Sequence, residues 1–510
     1  MRIYRTLLAA TAALLLGTLS SPADSNAVNP QIKKIVEEVS EARIKATIEK
    51  LVSFGTRNTL SNADDPQHGI GAARQWIFNE FKSYSPRLQV RFDKWRVKKQ
   101  GQRIFKDVDL YDVVAVLPGK LMPETEILVT GHYDSLNLGQ RQAPAPNADG
   151  ATGSAAAQMT PEEFEKSANL PAPGACDDGS GTANVMELAR IMSQYEFDKT
   201  LVFIAFAGEE QGLVGSTLEA AKAKKENEAI EAVINSDIIG TEVSGNGRID
   251  NGSVSVYSDE VQDSPNQQLA RLYHDVGERY VPSMKVKVMF MQDRLGRGGD
   301  HTPFQLEGYA AVRISTPNEN YANQHTATDL LENMSVPYTA RVTRINGAVA
   351  ASLALAPRPP AVMSLPGRGR GTGDGAGANS AANSTAGGGR GGAAAAGTAA
   401  AGRGAAGGAP GRGPSPMISR GQSRYDAQLR WRAAGSDAHL LGYAIVIRPT
   451  TSPVWEQEIF VGKVNEYTLK DVSIDDARFG VKAIGMDGTE SLVSPYVYPA
   501  RKKVEYETVQ

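Results

Sequence analysis

Five side chains of the types that bind metal ions are spread along the chain, each inside a distinctive local string. They are His132 in GHYDS, Asp177 in ACDDGSG, Glu210 in FAGEEQGLVGS, Asp237 in NSDIIG and His325 in NQHTATD. Each one stands at the end of a predicted strand or in the loop that follows it. Imidazole and carboxylate groups in this number can hold two zinc ions around one water molecule. The set therefore predicts metal-assisted hydrolysis.

Residues beside the first two of these positions suit supporting roles. Asp134 follows His132 by two positions and can accept a hydrogen bond from the second ring nitrogen, which would orient the imidazole. Asp177 and Asp178 lie in a glycine-flanked turn before a predicted helix. Asp177 is the candidate for a carboxylate shared by two metal ions, and Asp178 suits the N-cap of the helix.

Two adjacent carboxylates, Glu209 and Glu210, end a fully apolar strand. Like charges at neighbouring positions repel each other, so stability alone does not explain the pair and a functional role is favoured. Because neighbouring side chains point in different directions, one can bind a metal while the other faces the substrate water. We assign Glu210 to metal binding and Glu209 to general base and acid catalysis.

The elements that would position these residues alternate mostly between strand and helix. Apolar runs predict strands over 111–117, 126–130, 200–206, 232–235, 253–257, 285–290 and 310–314. Helical spacing of apolar residues predicts helices within 29–54 and over 70–81, 181–194, 267–277 and 337–355, with another after Gly215. This order predicts an α/β fold with a mostly parallel mixed sheet flanked by helices. In such a fold, ligands collect at the carboxyl ends of the strands.

From about residue 35 to about residue 356 the chain resembles the co-catalytic dizinc aminopeptidase family, metallopeptidase family twenty-eight. This family includes bacterial leucyl aminopeptidase, aminopeptidase Y and plasma glutamate carboxypeptidase. Besides the five strings above, FGTRNT and VVAVLPGK match it. The resemblance implies a zinc exopeptidase fold of the phosphorylase/hydrolase-like type.

The resemblance also implies how the ligands divide between two zinc ions. By this comparison His132 and Asp237 bind one zinc ion, Glu210 and His325 bind the other, and Asp177 bridges them.

Further residues are assigned by the same resemblance. Glu209 corresponds to the catalytic carboxylate, and a cis peptide bond is implied between Asp177 and Asp178. The string GGDHTPF matches a segment that lines the cleft, which places Asp300 and His301 near the site in a supporting role.

One position departs from the family pattern. Some members carry a tyrosine directly before the last histidine ligand, where its hydroxyl helps to stabilise the oxyanion, whereas this chain has Gln324. Either the Gln324 amide or the hydroxyl of Tyr321 could take over that contact.

These residues together predict hydrolysis of peptide bonds by an aminopeptidase acting on peptides with a free N-terminus. The positive N-terminal ammonium would be attracted by the acidic cleft. Within the same fold, a carboxypeptidase or dipeptidase and a one-zinc glutaminyl cyclase are the alternatives, and five intact ligands disfavour the cyclase. From another class, a non-catalytic exported binding protein is the alternative, which the presence of Glu209 beside Glu210 disfavours.

Length, charge and the N-terminal segment limit the possible partners and location of the protein. The 510 residues are 41% apolar, which is ample for two folded units, and carry a formal net charge of −3. This near balance gives no basic surface for nucleic acid. The first residues, MRIYRTLLAATAALLLGTLSS, predict an export signal over 1–27, whose apolar run is too short for a membrane span. We therefore expect a secreted or periplasmic protein without a stable membrane span.

Composition divides the rest of the chain. The zinc peptidase domain is predicted over 28–364, with a surface loop inserted at 139–174. A Gly/Ala/Arg-rich flexible linker follows at 365–416, because this composition cannot bury enough apolar surface to fold. Short strands over 417–505 resemble a fibronectin type III sandwich, with Trp431 in the core and Tyr443 on the next strand. Such a module serves as a spacer or binds an unknown surface or polysaccharide.

Overall fold

The computed structural model describes residues 28–139, 159–363, 418–435 and 438–497. The predicted export signal at 1–27 and the predicted linker at 365–416 lie outside the described residues, and both stay predictions.

Helices account for much of the peptidase domain. In the described residues they are α1 (Pro30–Glu37), α2 (Glu41–Ser53), α3 (Gly69–Tyr84), α4 (Pro161–Ser167), α5 (Gly179–Met192), α6 (Val214–Glu226), α7 (Pro265–Tyr280), α8 (His301–Leu306) and α9 (Val336–Leu355). Side chains of Asn29, Ser40 and Ser264 accept hydrogen bonds from backbone N–H groups at the starts of α1, α2 and α7. These caps satisfy donors that the first turn of a helix leaves unpaired. Among the described residues, no helix has the length and apolar composition needed to cross a lipid bilayer.

Eight strands form one mixed sheet. They are β1 (Gln89–Val97), β2 (Val108–Leu117), β3 (Met122–His132), β4 (Lys199–Phe206), β5 (Ala229–Ser236), β6 (Ser253–Tyr257), β7 (Lys285–Met289) and β8 (Ala311–Ser315), in the spatial order β1-β2-β4-β3-β5-β8-β6-β7. The central strands β4, β3, β5 and β8 run parallel, while β2 and β6 pair antiparallel with them. The predicted fold class is thus confirmed, and the carboxyl ends of the central strands meet at one edge.

Both faces of this sheet are covered. Helices α1, α2, α3, α5, α7 and α9 enclose the larger apolar core, and α6 and α8 enclose a smaller one that contains Phe206 and Phe304. Helix α5 lies very close to the sheet, because a β-carbon at Gly181 would come within 2.2 Å of the carbonyl oxygen of Ser236. Glycine at this position therefore brings the start of α5 against the carboxyl end of β5.

Strand β1 was not predicted from the sequence. Its string, QVRFDKWRV, mixes charged with apolar residues, and it lies at the edge of the sheet with several side chains exposed. Because an exposed edge strand carries polar residues, it lacks the continuous apolar run by which buried strands are recognised in a sequence.

Part of the insertion predicted as a surface loop forms helix α4. Thr160 and Glu163 make a reciprocal capping box at its start, and Phe164 is buried with Leu136 and Leu138. This small apolar cluster attaches the described part of the insertion to the segment that follows β3.

The C-terminal unit contains short antiparallel strands in two sheets. In chain order they are β9 (Ala361–Val362), β10 (Ala427–Arg432), β11 (Leu440–Pro449), β12 (Gln457–Gly462), β13 (Glu466–Leu469), β14 (Ala477–Gly485) and β15 (Ser494–Pro495), arranged as β13-β10-β9 and β12-β11-β14-β15. Trp431 on β10 is buried and packs edge-on against Tyr443 on β11 of the other sheet, with ring centroids 5.7 Å apart. The all-β unit and its aromatic core are as predicted, and the fibronectin type III assignment stays a prediction.

The division between the two units differs from the sequence prediction. Ala361 and Val362 were placed in the peptidase domain, but they pair with Arg432 and Trp431 as the outer strand of the smaller β-sheet. The predicted linker is therefore inserted between two strands of the sandwich. The predicted boundary was set by the start of the Gly/Ala/Arg-rich composition. A strand of two residues is too short to show the alternating pattern by which strands are predicted, so β9 was not recognised.

A buried ion cluster joins the sandwich to helix α7. Asp263 accepts from Arg448 at 2.7 Å and lies 3.2 Å from Arg271, whose Nε also donates to the carbonyl oxygen of Pro453 at 2.7 Å. The side chains of all three charged residues are at most 3% exposed. The sandwich is therefore docked on the peptidase domain through charges that water does not reach.

Replacing Asp263 by asparagine should weaken this docking strongly. Removing one partner leaves Arg271 and Arg448 buried without a counter-charge, which costs about 3–5 kcal/mol. Asparagine tolerates the positive φ of this residue (58°), so the backbone is not at issue. Urea unfolding measures the loss. As a control, Glu466→Gln breaks an exposed pair with Arg430, which is worth about 0–1 kcal/mol. Equal losses in the two variants would contradict a buried, energetically important cluster.

Candidate metal centre

The parallel strands bring the five predicted ligands to one edge of the sheet. His132 is the last residue of β3, Glu210 follows β4, and Asp237 directly follows β5. Asp177 precedes α5, and His325 lies in the loop after β8. The loop holding His325 is fixed by a backbone hydrogen bond from Leu138 to its carbonyl oxygen, at 2.9 Å.

Asp177 stands between two groups of ligand atoms. Its Oδ1 lies 3.3 Å from His132 Nε2, which is itself 3.7 Å from Asp237 Oδ1. Its Oδ2 lies 3.1 Å from His325 Nε2, which is 3.1 Å from Glu210 Oε1. One carboxylate oxygen thus belongs to each group, which is the arrangement needed to bridge two metal ions.

Unpaired polar atoms at this position fit bound cations. His132 Nε2 and Glu210 Oε1 are buried, and neither has a hydrogen-bond partner in the described part of the protein. Buried polar atoms without partners are costly, so a native site that keeps them usually holds an ion or water. The donor set of imidazoles and carboxylates is one that zinc prefers. The residues present therefore fit two zinc ions.

The charges of the five candidate ligands also favour bound metal cations. Burial would lower the pKa of His325, but Glu210 and Asp177 raise it to about 10. Burial would raise the pKa of Asp177, yet the imidazoles of His132 and His325 hold it well below its ordinary value. The carboxylates thus create a negative potential that favours protonated histidines. Metal cations would be attracted by the same potential and would displace those protons.

Asp178 is placed for structure rather than for metal binding. It could join His132 and Asp237 as a third metal ligand by distance alone. However, its Oδ1 accepts from the backbone N–H of Gly181 at 2.7 Å and of Ile238 at 3.2 Å, and its Oδ2 accepts from His132 N at 3.2 Å. We assign it to holding three segments together, and the N-cap role predicted from sequence is observed. The peptide bond between Asp177 and Asp178 is cis, as the resemblance implied.

Asp134 has a larger role than the sequence indicated. The ring nitrogen Nδ1 of His132 is closer to the backbone oxygen of Asp134 (3.1 Å) than to its carboxylate (3.5 Å). The carboxylate instead accepts from the backbone N–H groups of Glu209 and Glu210, both at 3.3 Å, and from the Thr59 hydroxyl at 3.2 Å. Asp134 thus couples the position of His132 to that of the two glutamates.

Asp329 and Arg57 support the Asp177 turn from behind. Asp329 accepts from the backbone N–H groups of Cys176 and Asp177, each at 2.9 Å. Burial raises the pKa of Asp329 to about 7, against the opposing effect of these hydrogen bonds. Arg57 donates to four backbone carbonyl oxygens, including Gly174 at 2.8 Å, and burial lowers its pKa to about 10. The sequence indicated Arg57 only as part of the string FGTRNT.

A buried arginine that the sequence did not indicate holds Asp237. Arg313 on β8 lies 3.1 Å from Asp237 Oδ2 and 2.7 Å from Asp293 Oδ1. Burial would raise the pKa of Asp237, but Arg313 and then His132 keep it below its ordinary value. A charged residue inside an otherwise apolar strand (AAVRIS) is the signal that could have identified it.

Replacing Arg313 by methionine should impair both stability and metal binding. The buried Asp237 would then lose its arginine partner, and Asp293 would keep only Arg294; breaking a buried ion pair costs about 3–5 kcal/mol. Loss of an outer hydrogen-bond partner also lowers metal affinity by about 10–100-fold. Thermal unfolding and competition for zinc with a chelator measure the two effects. Arg190→Met, near the other end of α5, serves as the control and should leave zinc affinity unchanged. Unaltered zinc affinity in Arg313→Met would contradict a role in holding Asp237.

Glu209 is partly exposed beside the ligand cluster. Desolvation raises the pKa of its carboxyl well above the ordinary value, His132 acts the other way, and Glu210 and Asp237 add to the rise. A carboxylate that is readily protonated and reachable from solvent suits proton transfer.

Asp300 and His301 lie beneath the cluster, as the resemblance implied. Asp300 directly precedes α8 without a side-chain capping hydrogen bond, is 1% exposed, and has its pKa raised to about 7 by burial, against the effect of His132. His301 is fully buried and its Nε2 lies 2.7 Å from the carbonyl oxygen of Gln292. Both sit behind the ligands rather than among them.

The two candidates for oxyanion assistance are placed differently. Gln324 Nε2 donates to Asp177 Oδ2 at 2.9 Å, so its amide is engaged with the proposed bridging carboxylate. Tyr321 is 62% exposed, and no contact found within the described residues joins it to the five ligands. In this conformation the Gln324 amide is occupied by Asp177, and Tyr321 makes no contact with the ligands among the described residues, so neither side chain is in place for oxyanion assistance.

Comparison with known proteins identifies relatives of this chain. Residues 112–350 match the family model described as peptidase family M28. A probable zinc metalloprotease of Leptosphaeria maculans is 32% identical over 92% of this chain and 96% of its own length. Another from Pyricularia oryzae is 34% identical over 89% of this chain and 82% of its own. Among solved structures, LapA of Legionella pneumophila aligns with 63% of this chain and 75% of its own at 19% identity and a TM-score of 0.47.

The relatives extend over about nine tenths of the chain, and the family match includes all five candidate ligands. The chain therefore belongs to peptidase family M28 and is a zinc metallopeptidase.

Proposed function

We propose that this protein is an aminopeptidase that uses two zinc ions and Glu209 to hydrolyse the N-terminal peptide bond of its substrates. The observation that carries the proposal is the position of Asp177, with one carboxylate oxygen in each of two ligand groups and Glu209 beside them. Bound zinc would supply Lewis-acid polarisation of the scissile carbonyl and a lowered pKa for water.

The protein's own residues account for the remaining steps. Glu209 takes a proton from the attacking water and then donates it to the leaving amine. The carboxylate of Asp134 accepts hydrogen bonds from the backbone N–H groups of both Glu209 and Glu210. The proton-transfer group and a metal ligand therefore keep a fixed relative position. Asp178 and Asp329 fix the turn that presents Asp177.

Hydrolysis of aminoacyl p-nitroanilides by the zinc-loaded protein tests the proposal. Leucine p-nitroanilide should be cleaved, and its N-acetylated form should not, because an aminopeptidase requires the free ammonium group. Cleavage of both, or of neither while a C-terminal residue is released from longer peptides, would contradict aminopeptidase action. Absence of all peptide hydrolysis would instead favour a binding protein.

A carboxypeptidase or dipeptidase is the second candidate, and one observation favours it: an exposed arginine, Arg297, lies at the mouth of the site. A one-zinc glutaminyl cyclase is disfavoured because all five residues that would bind two zinc ions are present and lie close together. Zinc content per chain and cyclisation of a peptide with N-terminal glutamine separate these outcomes.

Export from the cytoplasm is also part of the proposal. The basic and then apolar composition of residues 1–27 supports it. Fractionation of cells that produce the full chain should find the shortened protein in the periplasm or medium. The sandwich is proposed to act as a spacer or as a weak binding unit for a surface or polysaccharide.

A further inference from the structure

Arg297 stands on the solvent side of the metal centre. It lies in the segment between β7 and α8, and its Nη1 donates to Gln324 Oε1 at 3.2 Å. The same amide donates from Nε2 to Asp177 Oδ2 at 2.9 Å. One amide group therefore separates the guanidinium from the proposed bridging carboxylate.

Three other arginines close to the centre already form ion pairs or hydrogen bonds within the protein. Arg313 and Arg294 share Asp293, and Arg294 also pairs with the buried Glu319. The guanidinium of Arg57 is used by backbone carbonyl groups. Arg297 is exposed, and within the described residues the only hydrogen bond of its guanidinium is to the neutral amide of Gln324.

The charge balance changes when metal binds. Four carboxylates face the centre, those of Asp177, Glu209, Glu210 and Asp237, and two divalent cations would neutralise them. Arg297 would then remain as an exposed positive charge at the mouth of the cleft. A guanidinium in that position matches the fork geometry of a carboxylate.

The distances suit a carboxylate close to the scissile bond. A peptide advances about 3.3–3.6 Å per residue, so a carboxylate one residue beyond the scissile carbonyl reaches the space next to Gln324. We infer that Arg297 recognises a carboxylate of the substrate within one residue of the scissile bond. That group is either the C-terminal carboxylate of a dipeptide or an acidic side chain.

This inference rests on the proposed function, and it predicts a selective change of KM. In the zinc-loaded Arg297→Ala variant, KM for leucyl-alanine should rise by about 10–100-fold, the loss expected for a charge-assisted hydrogen bond. The kcat should change little, and both constants for leucyl-alanine amide should stay near the wild-type values. Leucyl-glutamate α-amide, which carries a side-chain carboxylate beyond the scissile carbonyl but no C-terminal carboxylate, separates the two sources, because only recognition of a side chain makes it sensitive to the substitution.

Three further measurements control the test. Arg297→Lys keeps the charge and should recover part of the lost affinity. Arg248→Ala removes another exposed arginine and should change nothing. Calorimetric titration of the zinc-loaded Glu209→Gln variant with leucyl-alanine and with its amide measures binding without turnover, and the preference for the acid should vanish when Arg297→Ala is added.

The outcomes are distinct. An equal loss for the acid and the amides would show that Arg297 only orients Gln324, and an unchanged KM for all substrates would show that it does not contact substrate. Either result overturns the inference and leaves the peptidase assignment intact. If the wild-type protein hydrolyses no peptide, the proposed function fails, and the calorimetric comparison still decides whether Arg297 binds a carboxylate.

Discussion

Glu209→Gln is expected to lower kcat by about 10²–10⁴-fold while both metal sites stay filled. Glutamine keeps the shape of the side chain and the backbone hydrogen bond from residue 209 to Asp134, but it cannot accept the proton of the attacking water. Burial and the neighbouring carboxylates disfavour the charged form of Glu209, so the neutral variant is expected to fold at least as stably as the wild type. Steady-state kinetics, zinc analysis and thermal unfolding measure the three properties.

The adjacent residue supplies a matched control for this variant. Glu210→Gln changes the same chemical group one position later, and Glu210 Oε1 lies 3.1 Å from His325 Nε2. This substitution should therefore remove zinc from the Glu210–His325 group and abolish activity for that reason. Near-native turnover in Glu209→Gln, or loss of zinc from it, would show that the roles of the two glutamates are wrongly assigned.

Asp177→Asn is expected to affect both ligand groups at once. The carboxylate contributes one oxygen to each group, so its loss should bring the zinc content after dialysis from two ions per chain toward zero, and activity with it. Asparagine preserves the volume of the side chain, and the hydrogen bond from the backbone N–H of residue 177 to Asp329 remains. Zinc analysis together with circular dichroism should find a folded protein without metal.

Asp178→Asn tests the alternative that the second carboxylate is the ligand. Asp178 accepts hydrogen bonds from three backbone N–H groups, so its substitution should lower the midpoint of urea unfolding while the folded protein keeps its zinc. If Asp178→Asn lost the metal and Asp177→Asn retained it, Asp177 would not be the bridging residue.

The sequence predicted the candidate site more fully than it predicted its surroundings. His132, Glu210 and Asp237 were identifiable because each follows a buried apolar strand, and parallel strands bring their carboxyl ends together. The positions of these three ligands depend on where the strands end, which local apolar runs indicate well.

Residues that act through the tertiary fold were missed or only partly assigned. Arg313 and Arg57 are distant in sequence from the groups they hold, and neither forms a motif with them. The N-cap role of Asp178 was predicted, but its hydrogen bonds from the backbone N–H groups of His132 and Ile238 were not, because no spacing rule gives them. Strand β9 was assigned to the wrong unit because its partner lies beyond the predicted linker.

Anomalous X-ray scattering at the zinc edge, from crystals of the zinc-loaded protein, tests the central claim most directly. We expect two peaks about 3.5–4 Å apart, one next to His132 and Asp237 and the other next to Glu210 and His325, with one oxygen of Asp177 on each. A single peak, or a pair of peaks without Asp177 between them, would contradict the two-zinc centre on which the proposed function depends.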